Sequence, residues 1–323
     1  MAKLRSLLLP AAGLLLALTT TVAAQPDYPN RPVRLVIPFP PGGSNDIIGR
    51  AIATPLGELL GKQVIVDNRA GAGAVVGTAF VANAPKDGYT LLVNSLTHTI
   101  NPSLYKLPFD PINGFTPVAM IASGPIVLVV NPALEAKSVN ELIALAKAKP
   151  GQLQYASAGV GTFTHLGAEL FKLTAGVDLL HVPFRGGGPA IIDVVGGHTQ
   201  INFANLLTAM PHIRSGKLRA LGVGGKTRVA MLPDVPTIAE AGVPTYEVIN
   251  WWGVLAPAGT PAPIVAKLHS ALNTVQQNPD LQQRLANEGA VVVKMTSAEF
   301  GKFIETEILK WERVVKAGNI KPQ

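Results

Sequence analysis

Two loops of similar composition have the residue types of an anion-binding site. They span residues 40–46 and 157–165, and each combines glycines with side chains that carry hydroxyl or amide groups. Each loop follows an apolar run and precedes a predicted helix. The first N–H groups of a helix have no intrahelical acceptor and carry a partial positive charge, so they bind anions. Two such loops in one chain predict a clamp for a carboxylate solute.

Each loop by itself is a weak signal, because an ordinary turn between a strand and a helix uses the same residues. In the first loop, Gly42 and Gly43 permit close approach of the backbone to a ligand, and Ser44 or Asn45 can cap the helix. In the second loop, we expect His165 to make structural hydrogen bonds, because a helix N-terminus disfavours its cation. The prediction of an anion site therefore depends on the pair of loops.

Further polar residues follow other predicted strands and are candidates for the same cleft. Ser95 and Phe184 rank first, followed by Asn205 and Asp193. Residues 68–73 and 184–188 each combine an arginine with glycines and are candidates for further anion-binding turns, although each also fits a solvated turn.

Enzymatic and metal-binding interpretations fail on spacing. Residues 225–227 (GKT) match the end of a phosphate-binding loop, but Ala220 occupies the position of that motif's first glycine. Similarly, Ser157 is not in a nucleophile elbow, because Tyr155 occupies the position of the first glycine of that motif. The histidines show no metal-ligand spacing, and the chain has no cysteine for a disulfide, a metal or a nucleophile. We therefore expect no enzymatic activity, no cofactor and no metal. A hydrolase that uses Ser157 is the distant alternative.

Residues 1–24 have the pattern of a secretory signal peptide. Lys3 and Arg5 are basic, residues 7–18 are apolar, and small residues precede a predicted cut after Ala24. We therefore expect a periplasmic protein. The formal net charge of +7 favours attraction of anions. The sequence has no run of basic residues interleaved with aromatic residues, so we expect no binding of nucleic acid.

Predicted strands and helices alternate over most of the chain, which favours an α/β fold with largely parallel sheets. The strands are predicted at residues 33–39, 64–66, 90–93, 115–120, 126–130, 154–156, 180–183, 201–204, 218–223 and 246–255, with a break at 123–125. The helices are predicted at residues 47–60, 74–82, 139–148, 164–173, 189–195, 206–215, 237–241, 263–277, 280–287 and 297–317.

The two halves of the chain repeat the order strand, glycine loop, helix, strand. One lobe is predicted from residues 25–123 plus 249–323 and the other from residues 124–248. Two crossovers would join the lobes and act as a hinge. The solute would lie between the lobes, where the carboxyl ends of both sheets meet.

Seven segments of the chain resemble the Bug family, the periplasmic solute-binding receptors of tripartite tricarboxylate transporters. Together they are highly specific and cover nearly all of the predicted mature chain: residues 28–34 (YPNRPVR), 36–50 (VIPFPPGGSNDIIGR), 66–73 (VDNRAGAG), 85–92 (PKDGYTLL), 157–166 (SAGVGTFTHL), 181–188 (HVPFRGGG) and 232–237 (LPDVPT). The resemblance implies a two-lobed type II periplasmic binding fold and a carboxylate held largely by backbone N–H groups and bridging waters. By position it implies these ligand-binding residues: Phe39, Gly43, Ser44, Asn45, Asp46, Ala158, Gly159, Gly161, Thr162 and Thr164.

Two positions depart from the family's usual residues. This chain has Phe163 and Thr164 where the family often has Pro-Ser, and Phe184 and Arg185 where it often has Tyr-Lys. We expect Phe163 either to narrow the pocket or to make it more aromatic.

The resemblance implies a receptor that delivers a carboxylate to permease subunits in the membrane, and we expect a monomer. A solute with an ammonium group would need a buried carboxylate partner, for which Asp46 and Asp193 are the nearby candidates, so a mono- or dicarboxylate is slightly favoured over an amino acid. A sensor subunit that docks to a kinase ectodomain would have the same pocket, and the sequence does not separate the two.

Overall fold

The computed structural model describes residues 28–287, 289–317 and 319–321, so the predicted signal peptide lies outside the described residues. The strands are β1 (Val33–Ile37), β2 (Val64–Asn68), β3 (Thr90–Ser95), β4 (Phe115–Val130), β5 (Gln154–Ser157), β6 (Leu180–Pro183), β7 (Ile201–Asn205), β8 (Arg219–Val223), β9 (Ile249–Pro257) and β10 (Val291–Val292). The helices are α1 (Ser44–Leu60), α2 (Val75–Ala82), α3 (Thr97–Ile100), α4 (Val139–Ala148), α5 (Phe163–Ala175), α6 (Gly187–Val195), α7 (Leu206–Arg214), α8 (Ala262–Gln276), α9 (Pro279–Asn287) and α10 (Ser297–Ala317). None of the described helices has the length and apolar character needed to cross a membrane.

The strands form two sheets that share β4. The first sheet has the order β2-β1-β3-β9-β4 with β10 added to β4, and the second has the order β4-β7-β5-β6 with β8 added to β4. β1 is parallel to β2 and β3, and β5 is parallel to β6 and β7. Parallel strands end at the same edge of a sheet, so the loops that follow β1, β5, β6 and β7 come together at the edges where ligands bind in open α/β sheets.

β4 passes from the first sheet to the second without a break. It pairs with β9 as far as Pro125 and with β7 and β8 from Ile126 onward. The predicted interruption at residues 123–125 is therefore wrong. The strand continues because β9 pairs with Gly124 and Pro125. Proline lacks only the backbone N–H, so its carbonyl group can still take part in strand pairing.

The chain crosses between the sheets a second time near Val248. The N–H of Val248 donates to the Gly224 carbonyl at 2.8 Å, and β9 begins at the next residue, Ile249. Two crossing strands are the arrangement expected of a two-lobed α/β fold. The lobe boundaries, residues 25–123 plus 249–323 and 124–248, stay a prediction.

Most helices lie where the sequence predicts them and differ only at their ends, whereas the short helix α3 was not predicted. α1 begins at Ser44, before the predicted residue 47, and α6 begins at Gly187, before residue 189. The predicted helix at residues 237–241 is a turn, in which Thr237 and Glu240 exchange hydrogen bonds of 2.9 and 3.0 Å. α10 packs into the core through Phe300 and Trp311, which are almost completely inaccessible.

Candidate functional site

Four helices begin around one small cavity between the two sheets. They are α1, α5, α6 and α7, which follow β1, β5, β6 and β7. The cavity is lined by Phe39, Gly43, Ser44, Asn45, Ala158, Phe163, Thr164, Gly187, Ala190, Asn202, Ala204, Asn205 and Thr208. The sequence-predicted residues that the structure brings together here are therefore Phe39, Gly43, Ser44, Asn45, Ala158, Thr164 and Asn205.

The cavity is narrow because its walls approach closely. About 20 Å³ is open to the centres of water molecules, which is room for about one water. A Cβ on Gly186 would lie only 2.5 Å from Cγ of Pro40, and one on Gly43 would lie 4.0 Å from the Gly187 nitrogen. Glycine at position 186 therefore lets the loops of the two sheets meet, whereas a Cβ on Gly43 would make only ordinary van der Waals contact.

The loop between β1 and α1 leaves the first turn of its helix uncapped. Gly43 is the N-cap residue, and no side chain caps the helix. Instead the Ser44 hydroxyl accepts a hydrogen bond from Trp252 at 3.3 Å, and the Asn45 amide donates to the Val93 carbonyl at 3.3 Å. The first-turn N–H groups, which have no intrahelical acceptor, remain available to a ligand in the cavity.

Asp46 holds this loop in place and does not line the cavity. Its carboxylate accepts hydrogen bonds of 3.0 Å from the Gly42 N–H, from Arg50 and from Asn68. Burial alone raises the pKa of Asp46, but the hydrogen bonds from Arg50, Gly42 and Asn68 outweigh it and lower the pKa below its usual value. The prediction that Asp46 faces the ligand is corrected on this geometry, because its oxygens are already occupied.

The loop between β5 and α5 is held together by its own hydrogen bonds. The Thr162 hydroxyl donates to the Gly159 carbonyl at 2.6 Å, and the Ala158 N–H donates to the Thr164 hydroxyl at 2.9 Å. The Gly161 N–H donates to Nδ1 of His165 at 3.3 Å. The expectation that this whole loop presents unpaired N–H groups is therefore wrong. At the start of α5 the Phe163 N–H donates to the Thr97 hydroxyl at 3.3 Å. What remains for a ligand is the rest of the first turn of α5, with the Thr164 side chain on the cavity wall.

Asn205 brings an unsatisfied donor into the cavity. It is the N-cap of α7, and its Oδ1 accepts from the Leu207 N–H at 3.0 Å. Its Nδ2 has no hydrogen-bond partner within the described residues, although the side chain is only 3 % exposed. A buried donor without a partner is costly, so this position fits a ligand that brings an acceptor.

The lining contains no Asp, Glu, Lys, Arg or His among the described residues. The positive potential therefore comes from the helix N-termini, each equivalent to roughly half an elementary charge. No group of three or more His, Cys, Asp or Glu that could hold a metal exists in the described part of the chain. The cavity is built to bind an anion by dipoles and neutral donors.

Several predicted site residues lie away from this cavity. Ser95 is completely buried in β3, paired in register with Trp252 of β9. Gly161 lies against Tyr105, since a Cβ there would be 2.6 Å from the tyrosine ring. Thr162 is the buried N-cap residue of α5. Asp193 accepts hydrogen bonds from the N–H and hydroxyl of Thr199, so its carboxylate secures a turn after α6.

A second cavity adjoins the first and contains other predicted residues. Gly159 and Phe184 line it, and Phe39 and Ala158 line both cavities. Its volume is about 410 Å³. The two cavities are therefore neighbouring parts of one cleft.

Sequence reasoning missed Asn202 and Thr208 as lining residues. Asn202 is 2 % exposed within β7, whose other residues are mostly apolar. A polar side chain in an otherwise apolar buried strand is a signal that the sequence offered. Thr208 lies one turn into α7, where its hydroxyl bonds to the Asn205 carbonyl at 2.9 Å, and only the fold shows that it reaches the cavity.

Ser157 and His181 form a close pair that does not resemble an accessible nucleophile. The Ser157 hydroxyl lies 2.6 Å from Nε2 of His181 and also accepts the Gly159 N–H at 3.1 Å. Ser157 is completely buried. The hydroxyl therefore stabilises the loop and is shielded from a substrate.

Two buried histidines make the fold sensitive to acid. Burial lowers the pKa of His98 to about 4. Burial, and then the nearby charges of His181 and Lys172, lower the pKa of His165 to about 3. Nδ1 of His165 already accepts the Gly161 N–H, so protonation there would break a hydrogen bond of the second loop.

We expect the free energy of unfolding to fall as the pH drops from about 6.5 towards 4. In the unfolded chain these histidines bind a proton near pH 6.5, whereas in the folded chain their lowered pKa values keep them neutral to a more acidic pH. The folded state therefore has its full free energy of unfolding above about pH 6.5 and loses part of it below that pH. At pH 5 each histidine can cost up to about 2 kcal/mol. Urea unfolding at pH 7.5 and at pH 5 measures the change. In H165N the free energy of unfolding should fall less between these two pH values than it does in wild type. An equal or higher stability at pH 5 would contradict this account.

Comparison with known proteins gives consistent matches along the chain. The family model described as "Tripartite tricarboxylate transporter family receptor" matches residues 48–320. The chain is 39 % identical over 309 residues to the "UPF0065 protein in tcbD-tcbE intergenic region" of Pseudomonas sp. (strain P51), covering 94 % of this chain and 92 % of that protein. It is 38 % identical over 320 residues to protein BugT of Bordetella pertussis, covering 97 % and 98 %.

Solved structures agree with the same fold. The adipate complex of R. palustris Rpa4515 has a TM-score of 0.89 at 35 % identity, covering 92 % of this chain and all of that one. The periplasmic binding protein BugD has a TM-score of 0.89 at 32 % identity, with coverage of 92 % and 100 %. MatC from Rhodopseudomonas palustris with bound malate has a TM-score of 0.86 at 34 % identity, with coverage of 89 % and 100 %. The expected two-lobed binding-protein fold is thereby confirmed, and these similar proteins are solute-binding proteins rather than enzymes.

Proposed function

This chain belongs to the tripartite tricarboxylate transporter receptor family, and from that premise we propose that it captures an organic mono- or dicarboxylate between its two lobes in the periplasm. It then delivers the solute to permease subunits in the membrane. The observation that carries the proposal is the convergence of four helix N-termini on one cavity without a charged side chain.

Helix N-termini supply the attraction for a carboxylate. Charge-assisted hydrogen bonds contribute about 1.5–3 kcal/mol each, so a few of them offset the cost of association and reach roughly micromolar affinity. The unpartnered Nδ2 of Asn205 adds a neutral donor to the same cavity. Donors therefore come from loops of both sheets, and all of them are engaged only when the lobes are closed.

The lining favours a carboxylate without an ammonium group. A buried ammonium needs an anionic or hydrogen-bonded partner, and no carboxylate lines the cavity within the described residues. Asp46, the nearest candidate in the first loop, is already bonded to Gly42, Arg50 and Asn68. The similar proteins that were solved with adipate and malate support the same class of solute.

A screen of organic acids tests this function. Malate and aspartate form a matched pair, because they differ only in a hydroxyl against an ammonium. We expect malate, adipate or a related acid to raise the melting temperature, and aspartate to bind more weakly than malate. A ligand at a hundred times its Kd stabilises the protein by about 2.7 kcal/mol. Stabilisation by sugars or peptides, with none by any organic acid, would contradict the proposal.

Delivery to a permease requires its own experiment. Solute-loaded receptor is cross-linked in membranes, and the partners are identified by mass spectrometry. Recovery of permease subunits supports delivery, whereas recovery of a kinase ectodomain would favour the sensor alternative. Sedimentation of the loaded protein tests the expected monomer.

A further inference from the structure

The second cavity lies beside the first and shares Phe39 and Ala158 with it. Residues 70–74 and Phe39 form one wall, and Ala158, Gly159, Phe184 and Arg185 form the other. The walls touch, since a Cβ on Gly73 would lie 2.6 Å from the Val160 carbonyl oxygen. The amide of Asn101 donates to the Gly73 carbonyl at 2.8 Å and holds the first wall in place.

Arg185 supplies the one charged side chain in this lining, as far as the described residues go. It is exposed and makes no ion pair or hydrogen bond within the described part of the chain. Arg50 and Arg69, by contrast, are paired. Arg50 bonds to Asp46 at 3.0 Å, and Arg69 bonds to Asp67 at 2.8 Å while lying 3.7 Å above the Phe80 ring. Arg185 thus combines a free guanidinium with a place in the cleft.

The two residues that the cavities share are apolar. Phe39 and Ala158 line both of them, so a solute that extends from the first cavity into the second would place methylene groups there. Its far end would then reach the cavity that contains Arg185. A guanidinium binds a carboxylate through two parallel hydrogen bonds, which gives geometric selectivity as well as attraction.

We propose that the second cavity is a subsite for the far end of the solute, in which Arg185 pairs with a second carboxylate and selects solutes with two anionic ends. This inference rests on the proposed function, because it assumes that the first carboxylate binds at the helix N-termini. The first cavity provides affinity for one carboxylate group of the solute. Arg185 then favours solutes that carry a second carboxylate at their far end over solutes that do not.

Calorimetric titration with adipate and hexanoate tests the subsite, because the two acids share a six-carbon chain and differ in the second carboxylate. Wild type should bind adipate at least ~10-fold more tightly than hexanoate, equivalent to about 1.4 kcal/mol. R185Q should remove this preference by weakening adipate, with hexanoate changed less than about twofold. R185K should restore part of the preference.

R284Q is the matched control, because Arg284 is also exposed and lies on α9, away from both cavities. It should bind both acids like wild type. An unchanged preference in R185Q, or an equal loss in R284Q, would overturn the subsite. Binding of hexanoate and adipate with equal affinity by wild type would also overturn it but leave the proposed function intact. Binding of no carboxylate would overturn both.

Discussion

Replacing Asn205 with aspartate is expected to weaken carboxylate binding by about 100-fold or more. The substitution keeps an oxygen that can cap α7, because asparagine and aspartate are equally good N-cap residues. It exchanges the unpartnered Nδ2 donor for a negatively charged oxygen that faces the solute. Two like charges about 4 Å apart repel by up to ~4 kcal/mol at a protein surface, and about 2.7 kcal/mol, roughly two thirds of that repulsion, gives the expected 100-fold loss. Calorimetry with the best acid from the screen measures it.

N278D is the control for N205D. Asn278 is an exposed asparagine whose Oδ1 accepts from the Asp280 N–H at 2.8 Å at the start of α9, so it shares the capping geometry without the cavity. Its affinity for the acid should equal that of wild type, and both variants should keep their free energy of unfolding within about 1 kcal/mol. If N205D bound the acid as tightly as wild type, the cavity would not be the carboxylate site.

Replacing Gly186 with alanine is expected to hold the lobes apart and weaken solute binding by ~10-fold or more. The new Cβ would lie 2.5 Å from Cγ and 2.7 Å from Cδ of Pro40. The proline ring is fixed to its backbone, so relief requires the loops to separate. If closure becomes tenfold less favourable, the apparent Kd rises by about the same factor. Small-angle scattering should show a larger radius of gyration at ligand concentrations that close wild type.

G216A separates this steric effect from backbone strain. Gly216 also has a positive φ, +70°, but a Cβ there would meet nothing within 4 Å. Both variants should lose about 1–2 kcal/mol of stability, because alanine is strained at such angles. The affinity should fall only in G186A. Wild-type affinity in G186A would show that the solute does not require the close approach of these loops.

The positions of the two glycine loops were predictable because local residue types specify them. Glycines with positive φ, such as Gly42 and Gly159, stand where the backbone turns, and the apolar runs before them form buried strands. These features depend on near neighbours in the sequence. The helices that follow were also predictable, but their first residues were not, because Gly43 caps α1 without a side chain.

Long-range pairing decided what the sequence could not show. β4 continues through Pro125 because β9, more than a hundred residues later in the chain, pairs beside it. Three amides of the second loop are already engaged, because Ser157, Thr164 and His165 accept hydrogen bonds from the N–H groups of Gly159, Ala158 and Gly161. No local pattern reports whether a donor already has a partner.

The sequence by itself determined the class of fold and predicted an anion-binding site, because hydrophobic periodicity and glycine loops act over a few residues. Only the tertiary structure decided which donors face the solute. It brought Asn205 and Thr208 to the cavity and directed Asp46 and Asp193 to structural hydrogen bonds. It also placed Arg185 beside a second cavity. The physical reason is that a binding site depends on distances between residues far apart in the chain, which are set by the packing of whole sheets.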